Sequence, residues 1–339
     1  MIRKKAQHFF EKFAGEKATD FSVLAQSGSA RINFLAANSK QKFIVTFNEN
    51  LSENEAFFYF SNLFSDLKLN TPKIFEISED RKIYVQEFLG EQTLSEIIEN
   101  EGFSERVKSL VKQSLEKLFW LQQKTSGKVD YSKTFEYETY DELPIFHDLN
   151  YFKFLFVDIV GANYHKSSLL KEFRELTKKI ENISPKGLMM RDFQARNIIV
   201  SSENKISFID YQAAMKGPLM YDVVSFLYQA KANFSEDFRG EMLEFYYALW
   251  NDETKISELK LSLKPLQLIR YLQVLGVYGL RGLVQKKPHF IKSIDKGLDN
   301  LKNFSENWEE IENFPELKKL IFVLNSPETR MKILNSTSS

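Results

Sequence analysis

A polar loop followed by two short apolar runs constrains the fold of this chain more than any other feature. The segment Arg191-Asp-Phe-Gln-Ala-Arg-Asn197 leads into the apolar run Ile198–Val200, and a second run, Ile206–Ile209, ends at Asp210. Short apolar runs separated by polar residues predict two strands joined by a turn. A loop attached to such strands can bring its own Asp and Asn to the same point as Asp210.

The spacing of these three polar residues is that of a kinase catalytic loop and its metal site. Asp192 is placed to accept the proton of an attacking hydroxyl. Asn197 and Asp210 offer the hard oxygen ligands that Mg²⁺ prefers. The plainer alternatives are a turn carboxylate at Asp192 and a strand-end cap at Asp210. The pattern favours phosphoryl transfer, with ATP and Mg²⁺ as cofactors.

Composition excludes several other classes of function. The 46 Lys and Arg residues balance 46 Asp and Glu residues, so a nucleic-acid binder acting through bulk charge is not expected. The absence of cysteine excludes disulfides and thiolate chemistry. The N-terminus lacks the apolar stretch of a signal peptide, and no run approaches the roughly 18 apolar residues of a membrane span. We expect a cytoplasmic protein without a membrane partner.

The order of predicted elements indicates an α+β fold with two lobes. Before residue 90 the patterns give an N-terminal helix, five strands and one amphipathic helix, with the helix at Glu53–Leu67 and hairpins around residues 38–41 and 78–81. After Gly90 the chain is mainly helical. We therefore predict a nucleotide-binding lobe with a small antiparallel sheet over residues 1–90 and a larger helical catalytic and substrate lobe over residues 91–335, the protein-kinase-like architecture.

The motifs resemble the aminoglycoside phosphotransferase and choline kinase superfamily. The resemblance lies in Arg191–Asn197, in Ile209-Asp-Tyr-Gln212, in Gly217-Pro-Leu-Met-Tyr-Asp-Val-Val-Ser225 and in a late helix, Tyr271–Arg281. Within that superfamily the chain looks most like bacterial kinases that phosphorylate N-acetylmuramate and N-acetylglucosamine at the anomeric position. The resemblance implies a small-molecule acceptor, and an amino sugar in particular.

Three short segments are candidates for nucleotide binding. Gly28 and Ser29 lie between the first two strands, where kinases place a phosphate-covering loop, although an ordinary hairpin turn explains them equally well. Glu87 and Leu89 lie in the predicted hinge, whose backbone groups are expected to meet adenine. Thr46 stands on the third strand, where kinases carry a lysine that pairs with the phosphates.

The chain departs from the kinase pattern at two positions. Lys42 is too far from Thr46 along the strand to replace the missing lysine, because four residues span roughly 13 Å. The following helix offers Glu53 and Glu55 with no obvious cation to meet them. Met190 replaces the usual catalytic-loop histidine, and we expect an apolar residue to be tolerated there.

Other polar residues near the motif are candidate acceptor ligands. Gln194 and Gln212 would either hydrogen-bond the substrate or brace the loop, and Arg196 would pair with a phosphate or with Asp222. Asp148 belongs to a mixed polar and aromatic segment that suits a sugar. Asp222 begins an apolar helical run and is expected to give structural support.

Three functions remain open at this point. An active small-molecule kinase is favoured by the intact catalytic residues, and a kinase-like module without turnover is favoured by the missing lysine. A protein kinase fits less well, because the connection from Asp210 to Asp222 is too short for a long activation segment. For the small-molecule kinase, an aminoglycoside or choline-type acceptor is the alternative to an amino sugar.

Overall fold

The computed structural model describes residues 1–24 and 30–338. Numbered along the chain, the strands are β1 Asp20–Val23, β2 Ile32–Ala37, β3 Lys42–Phe47, β4 Ile74–Ile77, β5 Ile83–Glu87, β6 Gln92–Thr93, β7 Lys186–Met189, β8 Ile198–Val200, β9 Ile206–Phe208 and β10 Met215–Pro218. The helices are α1 Ile2–Ala14, α2 Leu51–Asp66, α3 Leu94–Glu101, α4 Glu105–Thr125, α5 Glu142–Phe152, α6 Lys166–Glu181, α7 Met220–Leu227, α8 Glu236–Ala248, α9 Glu253–Tyr278, α10 Pro288–Ile291, α11 Ile294–Glu306, α12 Pro315–Leu324 and α13 Pro327–Ser338.

The chain divides into two compact units. The first contains residues 1–138 and 190–215, and the second contains residues 139–189 and 216–339. The catalytic loop therefore groups with the N-terminal sheet, because β6 pairs with β8 and β8 pairs with β9. The boundary near residue 90 stays a prediction about the functional lobes. The α+β class, with an antiparallel N-terminal sheet and a mainly helical remainder, is confirmed.

The first unit is built on an antiparallel sheet with strand order β1-β2-β3-β5-β4. Alternate residues of the sheet face a core that includes α1, so Phe34, Phe43 and Val45 pack with Phe10 of that helix. The residues between them, such as Leu35 and Ile44, point to the opposite face. The two predicted hairpins are confirmed by the β2–β3 and β4–β5 pairings.

A column of aromatic rings fixes α2 within the first unit. Phe57 of α2 lies 5.2 Å from the ring of Tyr84 and stacks at 5.1 Å on Tyr211, centroid to centroid. The Tyr211 hydroxyl is 2.7 Å from the Ser61 hydroxyl one turn further along α2. The rings of Tyr84 and Tyr211 are fully buried. Because Tyr211 follows Asp210 directly, this packing ties α2 to the end of the β8–β9 hairpin.

The second unit is a helical body around α9. Two π-helical turns, Lys153–Val157 after α5 and Gly279–Val284 after α9, pack against each other. Gly279 permits this approach, since a Cβ there would overlap the carbonyl oxygen of Leu155. Among the helices of the described residues, none is long and apolar enough to cross a bilayer.

Candidate active site

The catalytic loop is held in place by buried aromatic and apolar side chains. Phe193 follows Asp192 and packs edge-on against Phe208 of β9, with ring centroids 5.0 Å apart. Both rings are almost fully buried. The Asp192 amide donates to the carbonyl of Met190 at 2.8 Å, and Met190 is only 2 % exposed. Met190 therefore fills a buried position in the loop, and its tolerance in place of the histidine stays a prediction.

Asn197 and Asp210 meet at the end of the β8–β9 hairpin. The Ile209 amide donates to the Asn197 carbonyl at 3.0 Å, which places the next residue, Asp210, beside the asparagine. Nδ2 of Asn197 donates to the Asp192 carbonyl at 2.8 Å and to Oδ2 of Asp210 at 3.3 Å. Asp210 has a φ of +65°, a left-handed conformation that is uncommon outside glycine. Such strain often marks a functional position.

Two side chains hold the Asp210 carboxylate. Its Oδ1 accepts a hydrogen bond from the Arg31 guanidinium and one from Nε2 of Gln212 at 3.1 Å. Burial opposes ionisation, but the charge and hydrogen bond of Arg31, with help from Gln212, keep the pKa of Asp210 below its ordinary value. Asp210 is therefore a carboxylate at neutral pH.

Arg31 connects this carboxylate to α2. Its Nη1 donates to Oε1 of Gln212 at 3.0 Å, and its Nε lies 3.5 Å from Oε1 of Glu53 in the first turn of α2. Burial disfavours the charge, but the nearby carboxylates raise the pKa of Arg31 above its ordinary value. Sequence reasoning assigned no function to Arg31. Strand alternation could have identified it, because Arg31 shares a face with Asn33 and Leu35.

A cavity of about 660 Å³ lies next to these residues within the first unit. This volume falls in the range of small-molecule and cofactor sites. Its lining includes apolar residues such as Leu24, Ile44 and Ile199 and polar residues such as Arg31, Asn197 and Asp210. Such a mixed lining suits a ligand with a flat base and a charged tail. Segment 86–91, which contains the predicted hinge residues Glu87 and Leu89, also lines the cavity.

Gly90 brings the predicted hinge, segment 86–91, close to the β8–β9 hairpin. Its φ is +146°, and a Cβ there would lie 3.0 Å from the Val200 carbonyl oxygen. A side chain would therefore be strained in both conformation and space. Two residues later β6 begins its pairing with β8. The predicted hinge is therefore attached, through the pairing of β6 with β8, to the strand that follows the predicted catalytic loop.

The other predicted nucleotide contacts have different outcomes. Thr46 is 1 % exposed, accepts from Nε2 of Gln86 at 3.0 Å and lies 2.7 Å from Oδ1 of Asn33. The threonine hydroxyl is thus used inside the sheet, and its contact with a nucleotide stays a prediction. Gly28 and Ser29 lie outside the described residues.

The predicted acceptor ligands are distributed over both units. Gln194 and Arg196 lie on the catalytic loop, and Arg196 lines the cavity. Gln212 is buried and engaged by Arg31 and Asp210, which agrees with its bracing alternative. Asp148 belongs to the second unit, where it is 2 % exposed and accepts a hydrogen bond from the Tyr140 hydroxyl at 2.8 Å. Substrate contacts by these residues stay predictions.

Asp222 also belongs to the second unit. It lies in the first turn of α7 and is fully buried. A carboxylate at this end of a helix interacts favourably with the helix dipole. This position suits the structural support expected from the sequence.

The donor set at the hairpin fits Mg²⁺. Asp210 presents a carboxylate, and Asn197 has a carboxamide oxygen besides the Nδ2 that makes its hydrogen bonds. Within the described residues no group of three His, Cys, Asp or Glu side chains could hold a metal on its own. A site with few protein ligands suits Mg²⁺, which commonly binds through one or two carboxylates together with phosphates and water.

Comparison with known proteins identifies the group to which this architecture is similar. Residues 21–259 match the family model described as the phosphotransferase enzyme family. No curated protein gave a significant sequence match.

Similar solved structures agree with the family match. The choline kinase LicA from Streptococcus pneumoniae is 16 % identical with a TM-score of 0.61, covering 89 % of this chain and 99 % of its own. The ethanolamine kinase of Plasmodium vivax is 16 % identical with a TM-score of 0.56, covering 84 % and 82 %.

A third similar structure is a thermostable mutant of the aminoglycoside phosphotransferase APH(4)-Ia in ternary complex with ADP and hygromycin B. It is 15 % identical with a TM-score of 0.58, covering 88 % of this chain and 98 % of its own. At these identities the similarity concerns the fold.

Proposed function

Because the chain belongs to the phosphotransferase enzyme family, we propose that it transfers the γ-phosphoryl group of ATP to a hydroxyl of an amino sugar. The observation that carries the kinase assignment is the meeting of Asn197 and Asp210 beside a cavity in the size range of small-molecule sites, with Asn197 also bonded to the Asp192 carbonyl. The family match makes phosphoryl transfer the general activity. The donor, the metal and the acceptor are the finer parts of the proposal.

The mixed lining of the cavity supports ATP as the donor. Its apolar residues, which include Leu24, Ile44 and Ile199, provide surfaces for a purine ring. The hinge segment 86–91 borders the same space and can offer backbone donors and acceptors to the base. Arg31 and Arg196 line the cavity and complement the negative charge of phosphates. A cytoplasmic location, where ATP is abundant, is part of this proposal.

The catalytic loop supports a division of tasks among three residues. Asp192 orients the acceptor hydroxyl and takes its proton. Asn197 and Asp210 would hold Mg²⁺ through their side-chain oxygens. When bound, Mg²⁺ neutralises charge on the phosphates. Phe193 and Phe208 keep the loop fixed by their packing, so Asp192 needs little rearrangement before the reaction.

The amino-sugar proposal is supported by the contacts of two acidic residues that could otherwise bind a cationic acceptor. Asp141 caps α5 by accepting from the Leu143 amide at 3.1 Å, and Asp148 is buried against the Tyr140 hydroxyl. Both carboxylates therefore have structural partners. Gln194 can donate and accept, which suits the hydroxyls and acetamide of N-acetylglucosamine or N-acetylmuramate.

A cationic acceptor is the second candidate. The structures similar to this chain include proteins named as choline, ethanolamine and aminoglycoside kinases. An ammonium ion needs acceptors only, and an aromatic cage or several carboxylates would hold it. The exposed Glu142 remains available for such a role in the second unit.

Nucleotide consumption with a panel of acceptors tests both levels of the proposal. The purified protein would be assayed with Mg-ATP and N-acetylglucosamine, N-acetylmuramate, choline, ethanolamine or hygromycin B, and kcat/KM compared. We expect the largest value for one of the two N-acetylated sugars. A larger value for any cation would overturn the amino-sugar assignment but retain the kinase. No phosphoryl transfer to any acceptor, with Mg-ATP still bound, would favour a nucleotide-binding module without turnover.

A further inference from the structure

The lysine that kinases carry on the third strand is missing here, because β3 has Thr46 at the corresponding position. In protein kinases the β3 lysine pairs with a glutamate of the N-lobe helix and contacts the nucleotide phosphates. Thr46 is uncharged, 1 % exposed and hydrogen-bonded to Asn33 and Gln86. Its neighbours therefore satisfy the threonine hydroxyl within the sheet. The positive charge has to come from another part of the chain.

Arg31 makes the ion pair with a helix glutamate that this lysine would make. Its guanidinium hydrogen-bonds Asp210 and lies 3.5 Å from Glu53 in the first turn of α2. The Arg31 side chain is 14 % exposed, and it lines the cavity together with Asp210. A single cation thus connects the helix glutamate, the proposed metal ligand and the cavity.

The register of the sheet explains how an arginine from another strand reaches this point. Asn33 of β2 stands opposite Thr46 of β3. Arg31 precedes Asn33 by two residues and therefore lies on the same face of the sheet. The longer arginine side chain makes up the distance to the lysine position from one strand away. The sequence offered no obvious cation for Glu53 of α2, and Arg31 provides one.

We propose that Arg31, which immediately precedes β2, is the phosphate-anchoring cation of this protein in place of a lysine on β3. The proposal rests on the proposed use of a nucleotide. A guanidinium has five N–H donors, so Arg31 can keep Glu53 while exchanging one contact with Asp210 for a phosphate oxygen. The same contact holds the Asp210 carboxylate in place.

The test compares ligands that differ in phosphate content. Calorimetry would measure the Kd of Mg-ADP, the Mg complex of the non-hydrolysable ATP analogue AMP-PNP, and adenosine for the wild-type protein and Arg31→Met. We expect Arg31→Met to weaken the two phosphorylated ligands about tenfold or more, as for the loss of a charge-assisted contact. Adenosine should bind with an unchanged Kd, because it has no phosphate to meet Arg31.

Arg81→Met is the matched control. Arg81 also pairs with a glutamate of α2, Glu55, but it is about half exposed and does not line the cavity. Its replacement should leave all three affinities unchanged. Arg31→Lys keeps the charge with fewer donors, and we expect a smaller loss confined to the phosphorylated ligands. This variant decides the question if Arg31→Met does not fold.

Two results would overturn the assignment of Arg31 while leaving the proposed function intact. One is an unchanged Kd for Mg-AMP-PNP in the variants. The other is an equal loss of affinity for adenosine, which would indicate a structural role only. A wild-type protein that binds neither phosphorylated ligand would instead refute the nucleotide site itself.

Discussion

Asp192 differs from the residues around it because its proposed role belongs to the chemical step alone. Asp192→Asn should lower kcat by roughly a hundred- to ten-thousand-fold, the usual contribution of a general base, while the Kd of Mg-ADP stays close to wild type. Stopped-time assays and calorimetry on the same preparation would measure both quantities. Turnover near the wild-type rate would remove Asp192 from the mechanism.

Ionisation of Asp210 should make the free energy of unfolding rise with pH. Its pKa in the folded protein is lowered, chiefly because Arg31 offsets the effect of burial, so ionisation of Asp210 favours folding. That contribution is complete above the unfolded-state pKa of about 4 and is lost as the pH falls through the lower folded value. The wild type should therefore exceed Asp210→Asn in unfolding free energy by more at about pH 7 than at about pH 3.5. Urea unfolding would measure this, and a constant difference would contradict the pairing.

At the level of single residues, the spacing of Asp192, Asn197 and Asp210 predicts a shared site. The structure places Asn197 beside Asp210 and bonds it to the Asp192 carbonyl. The catalytic and metal-binding roles of these residues stay predictions. Arg31 was missed, because its partners Glu53 and Asp210 are distant in sequence and come together only through tertiary structure. The hydrogen bonding of Gln212 depends on the same arginine, because Nη1 of Arg31 donates to Oε1 of Gln212.

Among the elements, the contact between the two π-helical turns depends on a glycine. Gly279→Ala should destabilise the protein by about 1–3 kcal/mol or more, because its Cβ would overlap the Leu155 carbonyl oxygen, which belongs to the backbone and cannot rotate away. Gly240→Ala is the matched control, since a Cβ at that position in α8 meets nothing within 4 Å. It should stabilise by about 0.5–1 kcal/mol. Denaturant unfolding would measure both, and a Gly279→Ala variant as stable as wild type would contradict the packing.

Helices α6 and α12 cap each other. The Glu172 carboxylate of α6 accepts from the amides of Glu316 and Leu317 at 2.8 and 2.7 Å, at the start of α12. In return, the Glu316 side chain accepts from the His165 amide at 2.5 Å, at the start of α6. These bonds satisfy amides that a helix leaves without intrahelical partners.

Loss of this cap should be measurable. Glu172→Ala should cost about 1–2 kcal/mol, as for other helix caps. Glu175→Ala, on the same helix, removes only an exposed ion pair with Lys178 and should change stability by less than about 0.5 kcal/mol. Equal effects of the two substitutions in chemical unfolding would argue against the cap.

The elements of the N-terminal sheet were predictable because each has a short-range signal. Alternating apolar residues marked the strands, and helical spacing marked α2. The short-range patterns contain no information on the pairing of β6 with β8, which joins residues more than a hundred positions apart. The reciprocal caps of α6 and α12 likewise involve residues that are far apart in sequence.

For the whole molecule, the described cavity lining belongs entirely to the first unit. Binding of Mg-ADP should therefore slow amide hydrogen exchange in segments 83–93 and 195–212, because a ligand suppresses local opening around its site. Exchange in α8 of the second unit should change little. Mass spectrometry of peptic peptides would measure both regions. Protection confined to the second unit would contradict the location of the site.

The first unit consists of two segments that are separated in the sequence, and this has a consequence for biosynthesis. Translation proceeds from the N-terminus, so residues 1–138 are complete well before residues 190–215 exist. Until then β6 lacks its partner β8, and Phe57 lacks the ring of Tyr211. The nascent N-terminal segment thus exposes an unpaired strand edge and apolar surface while the ribosome adds the next part of the chain. The proposed nucleotide site can be completed only after Asp210 has been added.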